Sequence, residues 1–140
     1  MADFTLQIQE KVTLGGIARD SSVTQVISNI SYADNRILTV PVGSITTIFS
    51  FATASNAGTF LTSSFKYGRI TNKSTTVPVK LIVSSSVESM SYLINAGSSF
   101  MLSTTAITGS TSGLLFNDIA SVKVEPSGSA ADIEYFIIGT

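Results

Sequence analysis

The chain contains no cysteine, no histidine and no tryptophan. Without cysteine there is no disulfide, no thiolate nucleophile and no thiolate zinc site. Without histidine, the commonest general base and the commonest transition-metal ligand are both missing. We therefore expect a protein that is not an enzyme, and the sequence indicates no catalytic residue, no cofactor and no metal site.

Charged residues are scarce as well. They make up 12% of the 140 residues, against about 25% in typical soluble domains. The net charge of −1 provides no basic field to attract nucleic acid. Because charge is what usually keeps soluble proteins apart, a surface of Ser, Thr, Asn and Gln favours a chain that packs against its own copies or other partners. An ordinary Ser/Thr-rich β-protein is the alternative.

Long apolar runs are also missing. No stretch approaches the roughly 20 apolar residues of a membrane helix. The beginning, MADFTLQIQEKV, lacks the basic start and the apolar run of a signal peptide. We expect a chain that is made in a cytoplasm, stays soluble there and has no membrane partner.

The feature that is present almost everywhere is apolar alternation with period two, which is typical of strands. It predicts one long first strand over residues 4–14, ended by Gly15-Gly16, and a clean strand from Val77 to Val83. Pro41 cannot donate a ladder hydrogen bond, so its strand is expected at a sheet edge or at a bulge. The stretch SYADN, residues 31–35, is predicted to be a loop.

These signals together predict the fold class. About eight to ten short strands with regularly spaced turns are typical of an all-β, antiparallel two-sheet sandwich. Two stacked sheets in a jelly-roll-like arrangement suit this count best. The prediction treats residues 1–140 as one sandwich domain.

The stretch FKYGRITNKSTTVPVKLIV places an arginine inside a predicted strand. It is interpreted as a hairpin from Phe65 to Val83, with a turn at NKSTT. On a regular strand Phe65, Tyr67, Arg69 and Thr71 share one face. The arginine stem can lie on the tyrosine ring while its guanidinium reaches a carboxylate, so Arg69 is expected to support packing or an interface.

Other chemistry finds little support in the sequence. Two facing carboxylates would make a glycosidase, but Asp132 and Glu134 flank Ile133 and are expected to face solvent. The Asn and Asp of SYADN and LFNDI suit turns better than calcium binding. The basic residues near Tyr67 suit protection of a sheet edge better than binding of nucleic acid. Those basic residues are Lys66, Arg69, Lys73 and Lys80.

Five phrases follow one another along the chain, and they are VPVGSITTIFSF, NAGTF, KYGRITN, YLINAGSSFML and IASVKVEPSGSAADIEYFII. Their order resembles a family of small virion proteins of tailed phages, common in marine phages. The resemblance spans Val40 to Ile138 and rests on motifs of the scaffold. The turn NKSTT departs from it, because the family favours a more acidic turn there.

The resemblance implies a jelly-roll-like capsid decoration or cement protein on the capsid exterior, and it carries no catalytic residues. The implied partners are the major capsid protein or another virion protein, and copies of the chain itself, with a trimer favoured. A tail, neck or head-fibre component and a glycan-binding adhesion module remain open alternatives.

Two segments are the predicted interface. The first strand, residues 4–14, is either an arm that reaches a neighbour or an ordinary core strand. The polar loop Ser103 to Gly113 is expected to cap a neighbour. The candidate interface residues are Phe4, Leu6, Ile8, Tyr67, Arg69, Thr108 and Thr111.

Overall fold

A computed structural model describes residues 2–52, 59–61, 63–103 and 119–140. These residues form thirteen strands and no helix. The strands are β1 (Ala2–Glu10), β2 (Thr13–Leu14), β3 (Ile17–Ala18), β4 (Ser21–Ile30), β5 (Tyr32–Val40), β6 (Thr46–Ala52), β7 (Thr59–Leu61), β8 (Phe65–Asn72), β9 (Val79–Ser84), β10 (Ser89–Ile94), β11 (Ser99–Ser103), β12 (Ser121–Pro126) and β13 (Ala131–Gly139).

Strands β5 to β13 build two sheets, which we call the sandwich. One sheet has four strands in the order β11-β8-β13-β5, and the other has five in the order β10-β9-β12-β6-β7. If β7 is left aside, each sheet has four strands, and the chain passes back and forth between the sheets as in a jelly roll. One sheet receives β5, β8, β11 and β13, and the other receives β6, β9, β10 and β12. The predicted all-β sandwich is therefore confirmed. The extra strand β7 pairs with β6 in parallel, so the sheets are not antiparallel throughout.

The core lies between the two sheets. Along β9 the alternating residues Val79, Leu81 and Val83 are buried, as their period of two predicts. Burying a side chain such as Leu81, which is 0% exposed, contributes about 1.5–3 kcal/mol. Aromatic rings also connect the sheets, since the rings of Phe51 on β6 and Phe65 on β8 meet edge to face with centroids 5.1 Å apart.

The predicted hairpin from Phe65 to Val83 is wrong. Strand β8 pairs with β11 and β13, whereas β9 pairs with β10 and β12 in the other sheet. The NKSTT turn is present, but it carries the chain across the sandwich from one sheet to the other. A turn signal is local, and it does not determine which sheet the next strand joins.

Phe65 and Tyr67 do not share a face, in contrast to the prediction. Tyr67 pairs with Ile138, while Phe65 pairs with the adjacent Gly139, so β8 has one extra residue at Lys66. Such a bulge reverses the alternation of faces. Phe65 therefore enters the core, and Tyr67 and Arg69 lie on the outer face of the four-stranded sheet.

The predicted long first strand is also wrong. Strand β1 ends at Glu10, and the chain then forms the short hairpin β2–β3 and returns along β4. The residues from Ala2 to Ile30 thus make a two-stranded ribbon with its own tip, which we call the arm. Gly15 and Gly16 turn the tip with φ of 58° and 80°, values that glycine adopts without strain.

Candidate assembly interface

The two faces of the arm differ in character. Directly opposed residues of an antiparallel pair share a face, and the register pairs Phe4 with Ile27 and Ile8 with Val23. On the other face Gln7 is paired with Thr24 and Gln9 with Ser22. The arm is therefore amphipathic, with one mainly apolar face, on which Gln25 lies opposite Leu6, and one face rich in Gln, Thr and Ser that also carries the exposed Val26. We call the face that carries Phe4, Leu6, Ile8, Val23 and Ile27 the apolar face.

The apolar face is covered only near its base. The ring of Phe4 lies 5.1 Å from the ring of Tyr67 and 5.8 Å from that of Phe136, centroid to centroid. Tyr67 is only 3% exposed, although it lies on the outer face of its sheet. The base of the arm therefore rests on the four-stranded sheet through an aromatic cluster.

Further along the arm the apolar side chains are exposed. Ile8 is 37% exposed and Val23 is 59% exposed. At the tip Leu14 and Ile17, which are paired with each other, are each 61% exposed. Because an isolated two-stranded hairpin is only marginally stable in water, this part of the arm lacks the second layer that a stable sheet needs.

Arg69 lies beside the aromatic cluster and is fully engaged. Its guanidinium donates hydrogen bonds to Glu134 and to the hydroxyl of Thr71. Lys73 adds a second cation 3.6 Å from the other carboxylate oxygen of Glu134. The hydrogen bond from Arg69 is the main reason that the pKa of Glu134 is lowered. This arrangement ties β8 to β13 through side chains on the outer face of the sheet.

A cleft of about 460 Å³ opens between the arm and the sheet. It brings together four of the predicted interface residues, Phe4, Leu6, Tyr67 and Arg69. Ile8 lies further out on the exposed part of the arm. Thr108 and Thr111, with most of the predicted loop Ser103 to Gly113, lie outside the described residues. Val23 and Ile17 were not among the predicted interface residues, because the sequence does not give the pairing of β1 with β4.

A second concave region lies along the side of the sandwich, between β5 and β7. Its two cavities, of about 580 and 350 Å³, share Thr59 and Phe60. The hydroxyl of Tyr135 donates to Asp34 Oδ2 over 2.8 Å, and burial is the first cause that raises the pKa of Tyr135 to about 12. Inward-facing charges on an edge strand are a known protection against unwanted strand pairing, and Asp34 and Arg36 on β5 fit that role.

Within the described ranges, no three or more Asp and Glu side chains come together as a metal site. No helix in this part of the chain is long and apolar enough to cross a membrane. The exposed apolar face of the arm is thus the feature of the described residues that most needs a functional explanation.

The chain was compared with known proteins. No protein-family model matches it, and no curated protein sequence matches it either. Among solved structures, it is similar to a chain from the disulfide-linked pili that form Bacillus endospore appendages, with 14% identity and a TM-score of 0.44. The match covers 81% of this chain and 91% of the pilus chain. At this TM-score the likeness supports no conclusion about function.

Proposed function

We propose that this protein is a structural subunit of a phage particle, a capsid decoration or cement protein that sits on the capsid exterior and is held to its neighbours through the arm. The observation that carries the proposal is the exposed apolar face of the arm, with Ile8 at 37% and Val23 at 59% exposure. A subunit that works alone in solution gains nothing from this face, whereas a subunit in an assembly buries it.

Energetics support a role for the arm in assembly. Burial of apolar surface is favourable by roughly 25 cal/mol per Å². One arm offers only a few side chains, so a single contact is weak. A particle repeats the contact many times, and linked weak contacts give a high combined affinity. A cement protein therefore needs no large interface on each copy.

The composition agrees with this role. With 12% charged residues and a net charge of −1, the surface offers little repulsion between copies. The phage virion proteins that the chain resembles from Val40 to Ile138 imply the same location and no catalysis. Under this proposal the partners are the major capsid protein or another virion protein, together with further copies of the chain. A trimer is the favoured oligomer.

The test uses phage heads assembled without this protein. We expect the purified chain to bind them at a saturating, symmetry-compatible ratio and to raise their resistance to heat and osmotic shock. The double variant Ile8→Thr, Val23→Thr keeps β-propensity but removes the apolar contact. We expect it to bind at least tenfold more weakly.

A matched control is the variant Gln7→Thr, Thr24→Ser, which changes the opposite face of the same ribbon and is expected to bind as the parent chain does. If the chain does not bind the heads, or binds without changing their resistance to heat and osmotic shock, the cement role is wrong. If the apolar-face variant binds as tightly as the control, the arm is not the attachment.

A further inference from the structure

We propose that the concave region between β5 and β7 is a binding site for a neutral saccharide. The site lies on the side of the sandwich where both sheets end, since β5 and β7 are edge strands of their sheets. The stacked rings of Tyr32 and Phe60, with centroids 5.6 Å apart, connect the two edges there. The inference goes beyond the proposed function, because it concerns a surface other than the apolar face of the arm.

The inner face of β5 changes from apolar to charged at this site. Directly opposed residues of an antiparallel pair share a face, and Leu38 on the inner face packs against the core. Asp34 lies opposite the buried Ile137, and is therefore on the inner face too. Arg36 likewise lies opposite the buried Tyr135. Protection of the sheet edge explains the charge of these two side chains, but it does not require the cavity of about 350 Å³ that they line.

The charged pair keeps hydrogen-bonding capacity for a ligand. Arg36 Nε donates to Asp34 Oδ1 over 3.2 Å, and the hydroxyl of Tyr135 donates to Asp34 Oδ2 over 2.8 Å. An ionised carboxylate accepts about four hydrogen bonds, and a guanidinium has several N–H donors. The side chain of Arg36 is 70% exposed, so its outer nitrogens are accessible from the cavity. The pair can therefore both accept from a ligand and donate to it.

The remaining lining favours an uncharged ligand that carries hydroxyl groups. Asp34 and Arg36 neutralise each other, so the site attracts neither sign of charge. Sugar hydroxyls both donate and accept, and the C–H groups of a sugar ring pack against aromatic side chains. Phe60 lines both cavities, so a ring is present although the chain has no tryptophan. The larger cavity, of about 580 Å³, adds the hydroxyls of Ser31, Thr59, Ser64 and Thr140.

The hydroxyl of Tyr32 is an independent observation that points to a ligand. It is buried and has no hydrogen-bond partner within the part of the chain that the structure describes. A buried polar group without a partner is costly. Because Tyr32 lines the larger cavity, a small rotation of its ring would bring the hydroxyl within reach of a saccharide bound there.

Other classes of ligand fit this site less well. A nucleic acid would find no net positive charge here, and an acyl chain would remove water from the charged pair without replacing its hydrogen bonds. A peptide strand could add to the edge of β5, but the inward charges of Asp34 and Arg36 oppose such pairing. A peptide is therefore the competing occupant that the test must exclude.

The test titrates the full-length chain and follows its backbone amide signals by nuclear magnetic resonance. The sugars are D-glucose, D-galactose, D-mannose and N-acetyl-D-glucosamine, each up to about 100 mM, so that millimolar affinity is detected. A short peptide of alternating Val and Thr is titrated separately. We expect at least one sugar to shift the signals of Tyr32, Asp34 and Phe60 in a saturable way.

Two results would overturn the proposal. One is that none of the four sugars gives a saturable shift at these residues. The other is that the peptide alone shifts them, in which case the site binds a strand and not a saccharide.

A pair of variants tests the role of the charged pair. Arg36→Gln removes the exposed guanidinium, and we expect it to weaken sugar binding by about tenfold, because hydrogen bonds to charged groups typically contribute that much. Folding should be unaffected, since the side chain is 70% exposed. The control Arg19→Gln removes the same charge from an exposed position outside the site, and it should bind as the parent chain does. Equal affinities of Arg36→Gln and Arg19→Gln would contradict the assignment.

Free sugars and the polysaccharides of a cell surface share this chemistry. Each sugar that binds is therefore compared with the linear trisaccharide of the same sugar. The two cavities adjoin at Phe60, so neighbouring rings of a polysaccharide would occupy both, and its trisaccharide should bind more tightly than the single sugar. Equal affinities would identify a free sugar as the ligand. Both results support the saccharide site and separate its two sources.

Discussion

The side chain of Asn72, at the end of β8, donates a hydrogen bond over 3.2 Å to the backbone carbonyl of Ile94, at the end of β10. The two residues belong to different sheets. The same amide group donates to the carbonyl of Val77 over 2.7 Å, and its oxygen accepts from the backbone of Ser74. Asn72 is 0% exposed. One buried side chain thus joins the corner between β8 and β9 to the end of β10.

We predict that Asn72→Ala lowers the free energy of unfolding by about 2–4 kcal/mol, because it removes three hydrogen bonds and leaves buried backbone groups without partners. Urea denaturation measures the change. The control is Asn95→Ala at an exposed position nearby, for which we expect a change below about 0.5 kcal/mol. Equal effects of the two substitutions would contradict the role of Asn72.

Gly139 is predicted to accept no side chain. A Cβ atom there would lie 2.2 Å from the ring of Tyr32, which packs directly over the glycine. We expect Gly139→Ala to destabilise the fold by about 1–3 kcal/mol through overpacking. A Cβ atom at Gly68 would lie 3.1 Å from the nearest atoms, which belong to the ring of Phe65. We therefore expect Gly68→Ala to lower the free energy of unfolding by less than Gly139→Ala does. A double-mutant cycle with Tyr32→Ala checks the cause, since removal of the ring should recover most of the loss.

The stability is predicted to fall in acid through Glu134. Its pKa is lowered from the ordinary value of 4.5, first by the hydrogen bond from Arg69. A carboxyl whose pKa is lower in the folded state stabilises the fold above pH 4.5, and this contribution is lost as the pH falls through the folded pKa. Urea unfolding between pH 3 and 7 should show a shallower acid loss for Glu134→Gln. Identical profiles for the parent protein and Glu134→Gln would exclude this linkage.

The opposite sign applies to Tyr135 in alkali. Its pKa is raised from 10.0 to about 12, by burial and then by its hydrogen bond to Asp34. The folded state therefore resists ionisation of the phenol. The contribution to stability is complete below pH 10 and is lost as the pH rises towards 12. A titration followed by tyrosinate absorbance measures this. In Tyr135→Phe, the absorbance increase near pH 12 should be smaller than in the parent protein by the contribution of one tyrosine. A titration curve of unchanged shape would contradict the assignment.

Several elements could be predicted from the sequence because their signals are local. The alternation of Val79, Leu81 and Val83 predicted a strand, and the glycines at Gly15-Gly16 predicted a turn. The edge position expected from Pro41 is confirmed, since β5 ends at Val40 and lies at the edge of the four-stranded sheet. In each case the physical cause lies within a few residues of the signal.

The wrong predictions concern pairing between distant segments. The stretch SYADN was expected to be a loop, yet residues 32–35 belong to β5, because pairing with β13 outweighs the turn preference of Asn and Asp. The partner sheet of β9 depends on residues about 40 positions further along the chain. The face that Phe65 takes depends on one bulge.

The candidate interface was predicted in part for the same reason. Phe4, Leu6 and Ile8 stand out by alternation, but Val23 joins their face only through the register of β4. The sequence therefore indicated half of the apolar face. The other half depends on how the chain folds back on itself at the tip.

Residues 4–9 and 22–30 of the arm carry no ionisable side chain, which has a consequence for handling. Contacts between charges weaken as ionic strength rises, whereas contacts between apolar surfaces weaken on cooling. A particle whose subunits are joined by this face should tolerate high salt and loosen in the cold. Under the proposed function, cooling rather than an increase in salt concentration is the treatment expected to release the chain from the particle.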